Sequence, residues 1–331
     1  MRIRTFVIGT LLLLAGVGVG VLLAGQLYKS EDLPAPAAAS SALQSAIVDA
    51  GKPDVATRKL LVPQSLDQWR GAVAQRAESQ EIVLDDLAAN LNVSITPDVI
   101  AGVPVHRVVP NDQILSEGLF IYVHGGAYVF GGGDAGVSEG ALISARSGIP
   151  TISIDYRMPP DFPHPAAITD VEMVYRELLK THDPKNMGIG GTSAGGGLSM
   201  GAVHHFKALG LPIPAALYLG TPWADLTKTG DTLYTMEGID RVLVTYNGIL
   251  EAAALLYADG ANLLDPLLSP VYGDLSGFPA TYLVTGTRDM FLSDAARVHR
   301  KLRDAGVETD LNVYEGLSHA EYAFVADSPE H

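Results

Sequence analysis

The feature that most constrains the fold is a regular alternation that begins near residue 104, where short runs of β-branched and aromatic residues alternate with longer helical stretches. The predicted strands are residues 105–109, 119–123, 151–154, 187–189, 215–219, 281–284 and 311–314. The predicted helices between them are residues 137–147, 166–180, 194–209 and 293–305. This alternation predicts an α/β fold, with a mostly parallel central sheet and helices on both faces.

Two segments interrupt the alternation. Residues 45–100 have an amphipathic helical pattern without a strand-like run, and residues 226–264 form a long helical insertion after a predicted strand. We expect both segments to form a helical cap over the carboxyl edge of the sheet. Residues 101–331, including the insertion, are then the main α/β domain.

The N-terminus is strongly apolar. Arg2 and Arg4 precede an apolar run over residues 6–27, which as a helix at about 1.5 Å per residue is long enough for a bilayer core of about 30 Å. Residues 1–30 are therefore predicted to be a transmembrane anchor or a cleaved signal peptide, and residues 31–44 a Pro/Ala-rich linker. The protein would be membrane-anchored and face the periplasm or exterior, or be secreted or periplasmic if the segment is cleaved.

Charge and composition exclude several classes of function. The net charge of −15 would repel phosphate backbones, so nucleic acid is not an expected partner. The chain has no cysteine, which excludes disulfides, thiolate metal sites and a cysteine nucleophile. His204 and His205 are adjacent on a predicted helix and point about 100° apart, without metal-ligand spacing. We expect neither a metal nor a cofactor.

Three reactive side chains follow predicted strands, where loops of an open α/β sheet converge on one crevice. Ser193 lies in a G-x-S-x-G motif between a strand and a helix, Asp289 follows residues 281–284, and His319 follows residues 311–314. A serine hydroxyl needs a histidine to take its proton, and the histidine needs a carboxylate to hold its tautomer. The order serine, aspartate, histidine is typical of α/β-hydrolases.

A glycine-rich loop follows the strand at residues 119–123. It begins His124-Gly125-Gly126, and the amides of Gly125 and Gly126, with that of Ala194, are predicted to form an oxyanion hole. A tight turn that packs under the helix is an alternative. A phosphate cradle is another, but the loop lacks the Lys-Ser/Thr of a P-loop.

Together these motifs resemble the hormone-sensitive-lipase-like (bacterial family IV) carboxylesterases of the α/β-hydrolase superfamily, across roughly residues 60–325. Further matches are Asp-Tyr-Arg at residues 155–157 and the segment at residues 265–270. The resemblance implies that Ser193 is the nucleophile, His319 the general base and then acid, and Asp289 the orienting carboxylate. It also implies hydrolysis of short- to medium-chain acyl esters, a small-molecule substrate class, through an acyl-enzyme.

The sequence departs from the family pattern at three points. Ala127 stands where the oxyanion loop commonly has a third glycine, and Thr192 stands where many members have aspartate. Few residues follow His319, so we expect the family's final helix to be missing or short.

Other expectations concern side chains around the three reactive groups. Four aromatic residues are predicted to line the substrate pocket: Tyr128, Phe130, Trp223 and Tyr246. Asp155 and Arg157 are predicted to form a polar pair, and the charge of Asp170 to be solvated. Alternatives on the same fold are a lactonase or other acyl hydrolase, and a binding protein without catalysis.

Overall fold

Eight strands form one mixed sheet in the computed structural model, which describes residues 33–112, 114, 117–325 and 328–331. In chain order they are β1 (Val93–Ile100), β2 (Val103–Pro110), β3 (Leu119–Val123), β4 (Thr151–Ile154), β5 (Met187–Thr192), β6 (Ala216–Gly220), β7 (Ala280–Gly286) and β8 (Thr309–Tyr314). Their order across the sheet is β1-β2-β4-β3-β5-β6-β7-β8. Only β2 runs antiparallel to its neighbours, and the other pairs are parallel. The predicted, mostly parallel α/β sheet is confirmed.

Helices connect and flank these strands. Within the described residues they are α1 (Ser41–Ala50), α2 (Val55–Leu60), α3 (Leu66–Ser79), α4 (Leu84–Leu91), α5 (Ser138–Ser147), α6 (Ala166–Leu178), α7 (Ala194–Ala208), α8 (Thr232–Thr235), α9 (Ile249–Ala258) and α10 (Leu292–Asp304). The predicted helices that lie between strands agree with α5, α6, α7 and α10 to within two residues at each end.

The central strands are buried on both faces, as expected for parallel strands covered by helices. Ile121, Val123 and Ile189 are fully buried and belong to one large apolar cluster with α6 and α7. Because β5, β7 and β8 run in the same direction, the residues that follow them lie at the same edge of the sheet.

The prediction that residues 45–100 are helical throughout is wrong at its end. Residues 93–100 form β1, the edge strand that pairs antiparallel with β2. Pro97 and Asp98 make this strand hard to recognise from the sequence, because proline cannot donate a ladder hydrogen bond and occurs mainly on edge strands. Helix α4 packs against Val93 and Val108, so it belongs to the layer that covers the sheet rather than to a cap.

The prediction that residues 31–44 form a linker is also wrong in part. Helix α1 begins at Ser41, and the hydroxyl of Ser40 accepts a hydrogen bond from the amide of Leu43 as an N-cap. Leu43 and Ile47, one turn apart, are buried against Leu317. The alanine and proline content of the segment masked this short amphipathic stripe.

The remaining predicted cap segments contact each other. Lys59 of α2 forms an ion pair with Glu237 of the insertion at 3.0 Å. Trp69 of α3 is buried with Val129, from the loop after β3, and with Ala253 of α9. These contacts bring α2, α3 and the insertion together beside the glycine-rich loop, and their role as a cap stays a prediction.

The chain ends carry two further sequence predictions. The anchor or signal peptide predicted for residues 1–30 lies outside the described residues. Within the part of the chain that the structure describes, no helix combines the length and the apolar character needed to cross a membrane. After His319, the described residues contain a 3₁₀ turn at Glu321–Ala323 in place of a long final helix.

Candidate active site

Ser193 occupies a strained turn between β5 and α7. Its φ of 61° and ψ of −124° are unusual for a residue with a side chain. A Cβ atom at Gly191 would lie 1.9 Å from the carbonyl oxygen of Val123, and one at Gly195 would lie 2.0 Å from the same oxygen. Both glycines of the motif are therefore required by the close approach of β3, and the turn leaves Ser193 partly exposed.

Asp289 and His319 meet at the same edge of the sheet. His319 Nδ1 lies 3.0 Å from Asp289 Oδ1, and because a carboxylate only accepts, Nδ1 carries the proton. Asp289 also accepts from the amide of Phe291 (2.8 Å) and the hydroxyl of Thr285 (2.8 Å). His319 Nε2 is buried and has no hydrogen-bond partner among the described residues. In this tautomer Nε2 is left with a lone pair, which is the state a general base needs.

The imidazole of His319 is tuned by its surroundings. Burial lowers its pKa, the charge and hydrogen bond of Asp289 raise it, and the net result is that the pKa of His319 lies above its ordinary value. The carboxylates of Asp240 and Glu139 act in the same direction. A cation on this ring is therefore favoured by three carboxylates.

The glycine-rich loop adjoins the serine turn. A Cβ at Gly125 would lie 2.8 Å from the carbonyl oxygen of Thr192 and 3.3 Å from Ser193 Cβ, so the loop backbone passes directly beside the serine. Gly126 has a φ of 116°, which side chains rarely allow. Ala194 is the first residue of α7, where an N–H group has no partner within the helix. The structure thus brings the three predicted oxyanion donors to one place.

His124 supports this loop. Its Nδ1 lies 2.7 Å from the carbonyl oxygen of Gly125, and its ring stacks on Tyr156 with centroids 4.1 Å apart. Burial lowers the pKa of His124, which favours the neutral ring with Nδ1 as donor. Tyr156 in turn donates to the carbonyl oxygen of His124 at 2.8 Å.

A polar cluster beneath the serine turn was not predicted. The carboxylate of Glu139 on α5 accepts from the hydroxyls of Thr192 (2.5 Å) and Tyr122 (2.8 Å). Tyr322, three residues after His319, lies 2.9 Å from Thr192 Oγ1. Burial raises the pKa of Glu139. The threonine that departs from the family pattern therefore links the serine turn to α5, and no local sequence signal could have paired positions this far apart.

Three of the four predicted pocket aromatics are core residues. Tyr128, Trp223 and Tyr246 are each at most 1% exposed, and Tyr128 stacks on Tyr257 with centroids 4.1 Å apart. Trp223 Nε1 and Tyr246 Oη donate to backbone carbonyl oxygens at 3.1 Å. The amide of Trp223 donates to the carbonyl oxygen of Ser193 at 2.9 Å, so this cluster supports the serine turn from behind.

Phe130 is only partly buried and lies next to Trp69, with ring centroids 6.2 Å apart. The role of all four aromatic residues in lining a substrate pocket stays a prediction.

Two predictions about charged residues are wrong. Arg157 pairs with Asp170 rather than Asp155: its Nη2 lies 2.7 Å from Asp170 Oδ1, and Asp170 is 2% exposed rather than solvated. Asp155 instead accepts from the amide of Gly133 at 2.9 Å. Asp170 lies 13 residues along the chain from Arg157, beyond the reach of a local reading.

Metal-ligating side chains do not gather into a site in the described part of the chain, where no group of three or more His, Asp or Glu has suitable geometry. His204 Nε2 bonds to the carbonyl oxygen of Pro270 (3.0 Å), and His205 Nε2 to Glu172 (2.7 Å). Both histidines are thus engaged in structural contacts.

Known proteins share this architecture. Residues 120–323 match the family model described as alpha/beta hydrolase fold. An acetyl-hydrolase of Streptomyces hygroscopicus is 30% identical over 63% of this chain and 70% of its own length. The crystal structure of an esterase called E25 is 46% identical, covers 91% of this chain and 92% of its own, and superposes with a TM-score of 0.88. An esterase from the bacterial hormone-sensitive lipase family is 28% identical with a TM-score of 0.71, over 88% and 94% of the two chains.

Proposed function

The chain belongs to the α/β-hydrolase fold family, among the esterases similar to hormone-sensitive lipase, and we propose that it is a serine carboxylesterase acting on short- to medium-chain acyl esters. The observation that carries the proposal is the 3.0 Å contact between His319 Nδ1 and Asp289 Oδ1, at the edge of the sheet where Ser193 occupies its strained turn. The acyl-length class is supported by the similarity to a relative named as an acetyl-hydrolase.

In the first half of the reaction, Ser193 Oγ attacks the carbonyl carbon of the ester, and its proton passes to His319 Nε2. Asp289 stabilises the resulting imidazolium through Nδ1. The negative oxygen of the tetrahedral intermediate accepts from the amides of Gly125, Gly126 and Ala194, each of which is worth about 2.7–4 kcal/mol of barrier. Collapse of the intermediate breaks the bond to the alcohol oxygen, and His319 returns the proton to that alcohol.

The second half hydrolyses the acyl-enzyme. A water molecule gives a proton to His319 Nε2 and its oxygen attacks the acyl carbon. The second tetrahedral intermediate breaks its bond to Ser193 Oγ, which recovers the proton, and the carboxylic acid leaves. No step requires a metal or a cofactor.

The nucleophile assignment is tested by Ser193→Ala. We expect hydrolysis of p-nitrophenyl acetate to fall at least about 10⁴-fold, since residual catalysis without a triad serine is small. Ser276→Ala, at an exposed serine far along the chain, is the matched control and should keep full activity. A fluorophosphonate should label Ser193 in the wild-type protein, as read by peptide mass spectrometry.

Other outcomes would refute this function. Undiminished hydrolysis by Ser193→Ala would mean that the nucleophile is elsewhere. Labelling of Ser193 with no turnover across esters of graded acyl length would favour a lactonase or other acyl hydrolase. Neither labelling nor turnover would favour a binding protein without catalysis.

The N-terminal segment sets the proposed location. We infer from the sequence that residues 1–30 direct export, and either stay as an anchor or are removed. The full chain is expressed in a host that exports proteins, and the membrane and soluble fractions are separated. N-terminal sequencing of the protein in each fraction distinguishes these fates. Recovery of a full-length protein in the cytosol would contradict both.

A further inference from the structure

Asp240 lies in the insertion, a few residues after α8, and is fully buried. Its Oδ1 accepts from the amides of Val242 (2.9 Å) and Leu243 (3.0 Å), which closes its own turn. Its Oδ2 accepts from the amide of Met290 at 2.9 Å. Met290 directly follows Asp289, so one carboxylate joins the insertion to the loop that presents the triad acid.

Arg241, the next residue, reaches the other loop. Its amide donates to Ser318 Oγ at 3.1 Å, and its side chain, only 6% exposed, forms a two-point ion pair with Glu321. The guanidinium also donates to the carbonyl oxygen of Gly316 at 3.3 Å. Glu321 accepts from the amide of Ser318 at 2.7 Å. The loop that carries His319 is therefore held on both sides of the histidine.

The loops of Asp289 and His319 come from different strands, β7 and β8. We propose that Asp240 and Arg241 are positioning residues, through which the insertion holds these two loops in the relative position that catalysis requires. The proposal rests on the proposed function, because it concerns the same acid and base. Two adjacent residues of one turn fix both partners of a 3.0 Å contact, so they tie the relative position of Asp289 and His319 to the insertion.

Charge gives this arrangement a measurable signature. Burial and the neighbouring charge of Asp289 raise the pKa of Asp240 to about 6, while the His319 cation acts in the opposite direction. The charges that face His319 are those of Asp289, Asp240 and Glu139, and all three favour its protonated form against burial. Removing the charge of Asp240 should therefore lower the pKa of His319.

The pH profile reports the charge of Asp240 beside His319, and the split between kcat and KM reports the positioning, so both are measured. We expect Asp240→Asn to lower kcat about 10- to 100-fold, with KM for p-nitrophenyl acetate little changed, because a displacement near 1 Å costs up to about 100-fold. The acid limb of kcat/KM should move to lower pH. Asp231→Asn, the same change at an exposed site of the same insertion, is the control and should alter neither.

Two milder variants keep the test informative if Asp240→Asn fails to fold, as read by circular dichroism. Ser318→Ala removes the acceptor for the Arg241 amide, and Arg241→Lys keeps the charge but loses the two-point pairing. Each should lower kcat several-fold, rather than raise KM, in protein with a wild-type spectrum.

The possible failures are separable. If wild-type Ser193 is not labelled by a fluorophosphonate, the proposed function itself is wrong. If the wild-type protein is labelled and active, but the variants that fold keep wild-type kcat and pH profile, only the positioning role is refuted. A loss confined to KM would also overturn it.

Discussion

Replacement of Gly195 by alanine is the sharpest test of how the serine turn is built. The added Cβ would lie 2.0 Å from the carbonyl oxygen of Val123 and 2.7 Å from that of His124. Ordinary van der Waals contact begins near 3.4 Å, so α7 and the end of β3 would have to separate by about 1.4 Å. Both elements are buried, and the atoms that the added Cβ would meet belong to the backbone, so no flexible side chain could move aside.

Overpacking of this kind costs about 3 kcal/mol. For a domain of this size, 1 kcal/mol corresponds to roughly 2 °C, so we expect the melting temperature of Gly195→Ala to fall by about 6 °C. Because β3 leads into Gly125, the same displacement should lower kcat about 100-fold, even at a temperature where the variant is folded. Thermal unfolding by circular dichroism and hydrolysis of p-nitrophenyl acetate measure the two effects.

Gly71→Ala is the matched control. Gly71 lies inside α3, is exposed, and has no atom within 4 Å of the position that a Cβ would take. The substitution should stabilise the helix by about 0.5–1 kcal/mol and leave activity unchanged. If Gly195→Ala had the same melting temperature and kcat as Gly71→Ala, the claim that the backbone of β3 leaves no room for a side chain at residue 195 would be refuted.

Three other predictions follow from the site and the N-terminal helix. Asp289 and two other carboxylates raise the pKa of His319 above its ordinary 6.5. Because the neutral ring is the proposed base, kcat/KM should fall as the pH drops through a value above about 6.5, and an acid limb below that value would contradict the proposal. Thr192→Val removes a hydroxyl that bonds to the partly buried Glu139 and should cost about 1–3 kcal/mol in urea unfolding, whereas Thr192→Ser should keep most of the stability. Ser40→Ala removes the N-cap of α1 and should cost about 1 kcal/mol, visible as faster amide exchange within that helix and unchanged exchange in α7.

Much of the fold could be predicted because its signals are local. Residues 119–123 are a continuous apolar run and residues 151–154 have isoleucine at every second position, and the structure has both strands with the same bounds. The edge strand β1 was missed because Pro97 and Asp98 break the pattern that marks a strand, and only pairing with β2 compensates for them. Helix α1 begins four residues before the predicted helical segment, because its apolar stripe has just two buried residues to mark its start.

The candidate site also has parts that could be predicted from the sequence and parts that could not. Ser193, Asp289 and His319 each follow a strand in a recognisable motif, so their place at one edge of the sheet could be predicted. The partners that support them could not, because they come from distant elements: Glu139 from α5, and Asp240 from the insertion. A carboxylate in an amphipathic helix or a polar turn is usually solvated, and nothing in the local sequence distinguishes one that is buried.

The contact between α1 and the segment after β8 also has a consequence for synthesis. Leu43 and Ile47 leave the ribosome well before their partner Leu317, and the amide of Ser40 bonds to Glu330 at 2.9 Å across 290 positions. The stripe on α1 therefore stays without its partner while all the residues between them are made, and a chaperone has access to it during that time. Docking of α1 and completion of the His319 loop then belong to one late folding step, so α1 becomes packed when the proposed base is placed.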